Sequence, residues 1–295
     1  MDKAISTPLL TVLMPVFNAE KYIAASVESV LNQSYEDFEF LIIDDASTDQ
    51  TVSIIKSYSD ARIKLIEKRK NTGYTNSLNT GLKIAQGKYV GRMDSDDISL
   101  PNRFAKQISF LESNPEVIVC GTQHEIMGKN NAVSLPTKNA EIRLALLWGN
   151  CLVHSSVMIR KDALIQSSVY YDALKEPSED YDLWVRLLPI GHLYNIPEVL
   201  VSYRIHYASV SRTRYEQQEE ESIKVKLRLL GYLNVHLEPS EQQVLMKVFR
   251  KNFLLTVNEI QTFQNVKQKF CNSNNEGFFE KKVLKSTCWT WKKGC

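Results

Sequence analysis

Residues 9–16 (LLTVLMPV) and 38–43 (FEFLII) are almost wholly apolar, too short for globular helices, and bounded by turn residues. Runs of that kind predict strands buried on both faces. Between them, residues 20–32 place Ile23, Val27, Val30 and Leu31 at helical spacing, one apolar face of a helix. The alternation continues along the first hundred residues. Ser47, Thr48 and Asp49 supply N-cap chemistry for a helix to about Tyr58, and residues 63–66 read as a short strand. Residues 76–85 form a helix with Leu78, Leu82 and Ala85 on one side and Gly87 as its stop, and 88–93 read as a fourth strand. Repeated strand–helix–strand order implies an α/β fold with a parallel sheet, right-handed crossovers and helices on both faces. Ligands of such sheets sit beyond the carboxyl ends of the strands.

Past Pro101 the pattern loosens. A helix is expected over about 101–112, strands over 117–121 and 155–160, and a helix over 178–188 with Leu183, Trp184, Leu187 and Leu188 turned inward. Residues 216–234 and 240–263 read as charged helices, and 271–277 (CNSNNEG) as a flexible linker. The composition therefore shifts near residue 215, from an α/β portion to a C-terminal helical region over 216–295.

Bulk composition narrows the classes. A chain of 295 residues has room for one large α/β domain or two smaller units. A net charge of +2 excludes the basic profile of a dedicated nucleic-acid binder, so no nucleic-acid partner is expected. No stretch reaches the ~20 apolar residues of a membrane span. The five cysteines lack any CxxC spacing, which argues against a zinc site or disulfide framework and fits a reducing cytoplasm. There is no GxxxxGK[ST] loop, no GxGxxG, no GxSxG and no HExxH. With no glycine loop to cradle phosphate, a metal is the route left for binding it.

Three acidic clusters carry the candidate chemistry. Asp94-Ser95-Asp96-Asp97 follows a strand, and carboxylates so close repel one another unless a cation offsets them. Mn²⁺ or Mg²⁺ would suit such a set together with phosphate oxygens; a solvated helix start near Pro101 is the plainer reading. Asp44 and Asp45 end another strand, where a carboxylate can meet a base or ribose hydroxyl or cap the next helix. Glu179 and Asp180, in Ser178-Glu179-Asp180-Tyr181-Asp182-Leu183-Trp184, either serve the helix dipole or supply a general base, with Trp184 as an apolar wall for a sugar. His206, in Tyr203-Arg204-Ile205-His206, is a phosphate or metal ligand or a structural histidine.

Taken in order, LTVLMPVFNAEKYIAASVESVLNQSYEDFEFLIIDDASTDQT, NTGYTNSLNTGLKIAQGKYVGRMDSDD, HSSVMIRKDAL, SEDYDLWVRL and YRIH resemble glycosyltransferase family 2, over about residues 8–212. The resemblance implies a GT-A fold, Rossmann-like, with a mostly parallel central sheet flanked by helices. It divides residues 1–215 into a nucleotide-binding half (1–100) and an acceptor-binding half (101–215). It also implies a nucleotide pocket lined by Pro15, Phe17 and Asn18, with Asp45 at the base edge and Asp44 beside it. Arg69 and Asn71 open the Asn-x-Gly stretch, Asn79 lies in its helix, and Arg92 precedes the Asp94–Ser95–Asp96 metal motif. Asp96, Asp94, Asp97 and His206 would hold Mn²⁺ or Mg²⁺ near the diphosphate. Asp180, with Glu179, would be the base, and Trp184 would line the donor pocket. The implied reaction is inverting transfer of a hexosyl or N-acetylhexosaminyl group from a nucleotide-diphosphate sugar, by default a UDP-sugar, to a hydroxyl of a glycan or lipid-linked acceptor. Its setting would be cell-surface polysaccharide or lipooligosaccharide synthesis.

Residues 266–295 hold seven lysines against two glutamates, with Trp289 and Trp291 among the last of them. Such a tail suits an anionic membrane surface, as peripheral contact on the inner face of the plasma membrane, or a plain solvated end. Two other classes use similar parts. A sugar-nucleotide nucleotidyltransferase would want a glycine- and basic-rich first loop, which LMPVFNAEKY lacks. A non-catalytic sugar-nucleotide-binding protein would keep the donor pocket without needing Asp180.

Overall fold

A computed structural model describes residues 7–129, 132–207, 209–250, 254–274 and 277–280. Within them lie strands β1 (Leu10–Val16), β2 (Phe38–Asp44), β3 (Ile63–Glu67), β4 (Tyr89–Arg92), β5 (Ile98–Ser99), β6 (Val117–Ile126), β7 (Ala132–Val133), β8 (Met158–Arg160) and β9 (His192–Tyr203). The helices of the α/β portion are α1 (Ile23–Leu31), α2 (Thr51–Lys56), α3 (Tyr74–Ile84), α4 (Arg103–Ser113), α5 (Asn139–Ala145), α6 (Lys161–Ser167) and α7 (Glu179–Leu187). After β9 come α8 (Val210–Thr213), α9 (Tyr215–Gly231), α10 (Pro239–Phe249) and α11 (Val257–Ser273).

One sheet runs in the order β3-β2-β1-β4-β8-β6-β9-β5, with β7 on β6. Its first four strands are parallel, and β8 joins antiparallel to both β4 and β6. β9 is parallel to β6 but antiparallel to β5, so the second half is mixed. β1 is buried throughout and apolar but for Thr11, because both faces are covered. Val12 and Met14 join α1 and α4 in one cluster with Ile23, Val27, Phe104 and Leu111. Leu13 faces the other way, toward Leu78 and Leu82 of α3. That is the two-residue period of a strand sandwiched between helical layers.

The C-terminal helices are built into this second layer. Leu229, Leu245 and Val266 belong to the same buried cluster as Leu13 and Trp184. Buried Asp182 of α7 accepts from Arg186 and from Arg228 of α9, both at 2.7 Å, which ties the two helices together.

Several expectations need correction. The helix expected over 240–263 is two helices, α10 and α11. The expected linker at 271–277 begins inside α11 and turns on buried Asn274, whose amide exchanges hydrogen bonds with the backbone of Phe279 (2.6 and 3.0 Å). The basic, tryptophan-bearing stretch 281–295 lies outside the described residues. Gly87 does not stop α3, which ends at Ile84 with Ala85 as its cap. Gly87 is instead a point of close approach: a Cβ there would lie 2.4 Å from the Thr11 nitrogen and 2.6 Å from the Leu10 carbonyl carbon. Its N–H donates to Thr11 Oγ1 at 2.8 Å, and Thr11 donates to Glu39.

Because backbone rather than a flexible side-chain tip blocks that space, Gly87→Ala should destabilise the protein by about 2 kcal/mol or more. Urea unfolding of the two proteins measures it; equal midpoints would show that β1 has room to move.

Candidate active site

Parallel register sets the site. Val16 of β1 pairs with Asp44 of β2, and Leu13 with Arg92 of β4, so three strand ends lie side by side. The segments leaving them open into a cleft of about 830 Å³. Asn18 takes φ +48°, a left-handed conformation that asparagine tolerates. Its N–H donates to Ser47 Oγ and its side chain accepts from the Thr48 N–H, both at 2.9 Å. The turn after β1 is thereby locked to the turn after β2. Pro15 and half-exposed Phe17 line this end of the cleft.

Asp45 lines the cleft too, though its side chain is nearly buried. Its carboxylate accepts from Lys68 Nζ (2.5 Å) and from the N–H groups of Thr72 (3.0 Å) and Gly73 (2.8 Å). Burial works to raise its pKa, but those bonds hold it below the ordinary aspartate value. Asp45 thus suspends the 68–73 loop, and α3 starts directly after it.

The turn between β4 and β5 carries the second group. One oxygen each from Asp94, Asp96 and Asp97 lies within 4.8 Å of the others. Asp97 is fully buried; its Oδ1 accepts from the Arg204 N–H at 2.7 Å, and its Oδ2 has no hydrogen-bond partner. Burial, and then the charges of Asp94 and Asp96, push its pKa up to about 8. Burial and Asp94 raise Asp96 as well. His206 Nε2 stands 2.7 Å from Asp96 Oδ2, with the Tyr22 ring packed 4.9 Å from the imidazole. Arg92, almost wholly buried, pairs with Asp94. Three clustered carboxylates, an orphaned buried oxygen and an adjacent imidazole form a donor set that fits a hard divalent cation of the Mg²⁺ or Mn²⁺ kind.

Glu179 and Asp180 open α7 across the same cleft. Glu179 accepts from the Tyr74 hydroxyl at 2.7 Å and lies 3.8 Å from His154 Nδ1. Burial, then the neighbouring Asp180 charge, push Glu179 up to about 8. Burial also raises Asp180, to about 6, against the Tyr181 N–H (2.6 Å), the Arg92 charge and the Asn150 amide (2.7 Å). Burial thus raises both carboxyls of the pair, and each opposes the ionisation of the other. His154 is driven well below the usual histidine value by burial and by Arg92, so it stays neutral.

Pro15, Phe17, Asn18, Asp45, Arg92, Asp94, Ser95, Asp96, Glu179, Asp180 and His206 thus meet in one cleft. The remaining residues expected at the site do not line it. Trp184 is fully buried in the core, on the inward face of α7, and offers no surface to a sugar. Asn79 spends its amide on the Tyr171 carbonyl (2.9 Å). Asn71 accepts from the Gly73 N–H (3.1 Å), a turn contact, and Arg69 is exposed. Buried Asp44 accepts from the Ser47 N–H at 3.1 Å, and Asp97 supports the carboxylate cluster from beneath. Tyr74, His154, Asn150 and Tyr22 escape the pattern because each is a single residue outside any acidic run. Tyr74, directly after the Asn-x-Gly turn, and His154, which opens the HSSVMIRKDAL stretch, had a signal in the resemblance.

Residues 11–172 match the family described as Glycosyl transferase family 2. The chain is similar to UDP-Glc:alpha-D-GlcNAc-diphosphoundecaprenol beta-1,3-glucosyltransferase WfgD of Escherichia coli, 31% identical over 211 residues, which span 71% of this chain and 82% of the relative. In fold it is similar to S. aureus TarS 1-349, solved in complex with UDP-GlcNAc, at TM-score 0.64 and 20% identity over 93% of this chain and 85% of that one. It is similar also to the mannosyltransferase PcManGT of Pyrobaculum calidifontis, solved with GDP-Man and Mn2+, at TM-score 0.60 and 16% identity over 98% and 89% of the two chains. The central parallel order β3-β2-β1-β4 with helices on both faces agrees with the GT-A expectation.

A carboxyl whose folded pKa is raised to about 8 destabilises the native state progressively as pH rises from its unfolded value of about 4. Metal-free protein should therefore melt lower at pH 8 than at pH 5, and Asp97→Asn, which keeps an acceptor for the Arg204 N–H, should flatten that slope. Added MnCl₂ should flatten it in the wild type. Melting curves in EDTA and in Mn²⁺ decide, and a slope indifferent to both changes rules out the strained cluster.

Proposed function

The chain belongs to glycosyltransferase family 2, and from that premise we propose that it transfers a sugar, with inversion, from a UDP-sugar to a hydroxyl of a glycan or lipid-linked acceptor in cell-surface polysaccharide or lipooligosaccharide synthesis. The observation that carries this reading is the convergence of Asp45, Asp94–Asp96 and Asp180 on one cleft, each with a different electrostatic setting.

The residues divide the work. The nucleoside occupies the β1–β2 end, where Phe17 is half exposed and Asp45 lines the cleft. Asp94, Asp96 and His206 would hold a divalent cation, which would supply positive charge against the negative charge gathering on the departing diphosphate. Arg92 fixes Asp94 from below. Asp180, ionised at neutral pH, takes the proton of the acceptor hydroxyl as its oxygen attacks the anomeric carbon. Glu179, protonated, spares it a second negative neighbour. A carboxylate with a pKa near 6 is a better base at pH 7 than an ordinary aspartate, because its affinity for the proton is closer to the working pH.

UDP is favoured by the donor in the name of the WfgD relative and by the UDP-GlcNAc complex of TarS; PcManGT, with GDP-Man, supports the runner-up nucleotide. The diphosphoundecaprenol in the WfgD name favours a lipid-linked acceptor and, with it, work at the inner face of the membrane. Among the described residues no helix is long and apolar enough to cross a bilayer.

Asp180→Asn should reduce transfer about 10²- to 10⁴-fold while UDP still binds. In the wild type, kcat/KM should fall as pH drops through about 6, where the base is protonated. Release of nucleoside diphosphate from a panel of UDP-, GDP- and dTDP-sugars, with Mn²⁺ or with EDTA, provides the assay. Undiminished turnover by the asparagine variant would refute Asp180 as the base.

A further inference from the structure

Beside the cleft lies a smaller hollow of about 220 Å³, and Asp180 and Gln218 line both. The hollow is built by parts of the chain that meet only in three dimensions. Trp148 follows α5, Tyr215 opens α9, and Phe249 closes α10. Tyr215, Gln218 and Phe249 lie beyond the stretch 11–172 that matches the family.

Its chemistry differs from that of the cleft. Trp148 is 39% and Tyr215 54% exposed, unusual for aromatics of that size, and the Trp148 ring is braced edge-on by Phe249 with centroids 6.4 Å apart. Asn150, Gln218 and Ser222 line the same hollow, with Glu219 and Lys226 as its further charged groups. Aromatic rings together with hydrogen-bonding side chains suit a pyranose, which has an apolar C–H face and a rim of hydroxyls. Asn150 lines the hollow, not the cleft, and donates to Asp180 Oδ2 at 2.7 Å, which places that oxygen at the boundary between the two cavities.

Inversion requires the attacking oxygen to arrive opposite the leaving diphosphate. The groups assigned to the diphosphate end, Asp94, Asp96 and His206, line the cleft and are absent from the hollow. The geometry points to the hollow as the acceptor subsite, holding a hexopyranoside on Trp148 and Tyr215 with one hydroxyl at Asp180 Oδ2. This rests on the transferase reading above and adds to it the acceptor's class and its direction of entry.

The test is saturation-transfer NMR on the full chain held with UDP and MnCl₂, titrated with methyl glycosides of glucose, galactose and N-acetylglucosamine. At least one glycoside should bind the wild type, and Trp148→Ala and Tyr215→Ala should each weaken it about tenfold or more while UDP affinity stays within about twofold. Tyr215, half exposed, reports on the site if Trp148→Ala fails to fold. A wild type that binds UDP but no glycoside, or glycoside binding unchanged in both variants, overturns the acceptor hollow and leaves the donor site standing. A wild type that does not bind UDP removes the transferase reading beneath it, so the two failures are told apart.

Discussion

The site depends on one buried cation, the guanidinium of Arg92. Burying a charge is costly unless a partner meets it, and here the partners come from two distant segments. Arg92 pairs with Asp94 and, through its field, works against the burial that raises the pKa of Asp96, Glu179 and Asp180, and adds to the burial that depresses that of His154. Its own backbone is fixed from behind, because its carbonyl accepts from Arg103 at 2.8 Å, itself a fully buried guanidinium. The carboxylates near Arg92 outnumber it. Burial, and after it that surplus of negative charge, raises the pKa values of Asp97 and Glu179, so that a cation at the 94–97 turn would relieve the strain.

Local pattern was enough for the parallel half of the sheet. β1 to β4 and the helices between them lie within about three residues of where apolar runs and helical spacing place them, and β1, β2 and β4, buried along their length, leave the clearest sequence. β9 is the opposite case. His192, Asn195, Pro197 and Glu198 break its apolar pattern, and its pairing with β6 slips register at three places. A strand stabilised by its neighbours and not by alternation has no periodic signature to read. β5 is only two residues long and owes its existence to β9.

The site shows the same division. The acidic runs were legible because adjacent carboxylates are costly and so call for an explanation. Trp184 shows two kinds of inference in conflict. Its helical spacing with Leu183, Leu187 and Leu188 puts it inward, whereas resemblance assigns it to the donor pocket; its complete burial sides with spacing. Asp45 shows a subtler difference, since the strand-end carboxylate that lines the cleft also holds a loop more than twenty residues downstream. No local pattern reveals that second task.

The pairing of β5 with β9 also bears on the order in which the molecule comes into being. The 94–97 turn is anchored on one side by β4 and on the other by a strand synthesised a hundred residues later, and His206 follows directly behind that strand. A nascent chain emerging from the ribosome can close β1 to β4 from nearby contacts, yet its carboxylates stay unassembled until residue 206 has cleared the exit tunnel. Loop closure over that span is slow compared with the helices forming around it. The 94–97 turn therefore gains its second anchoring strand and its imidazole only late in synthesis, after the β1–β2 end of the cleft has formed.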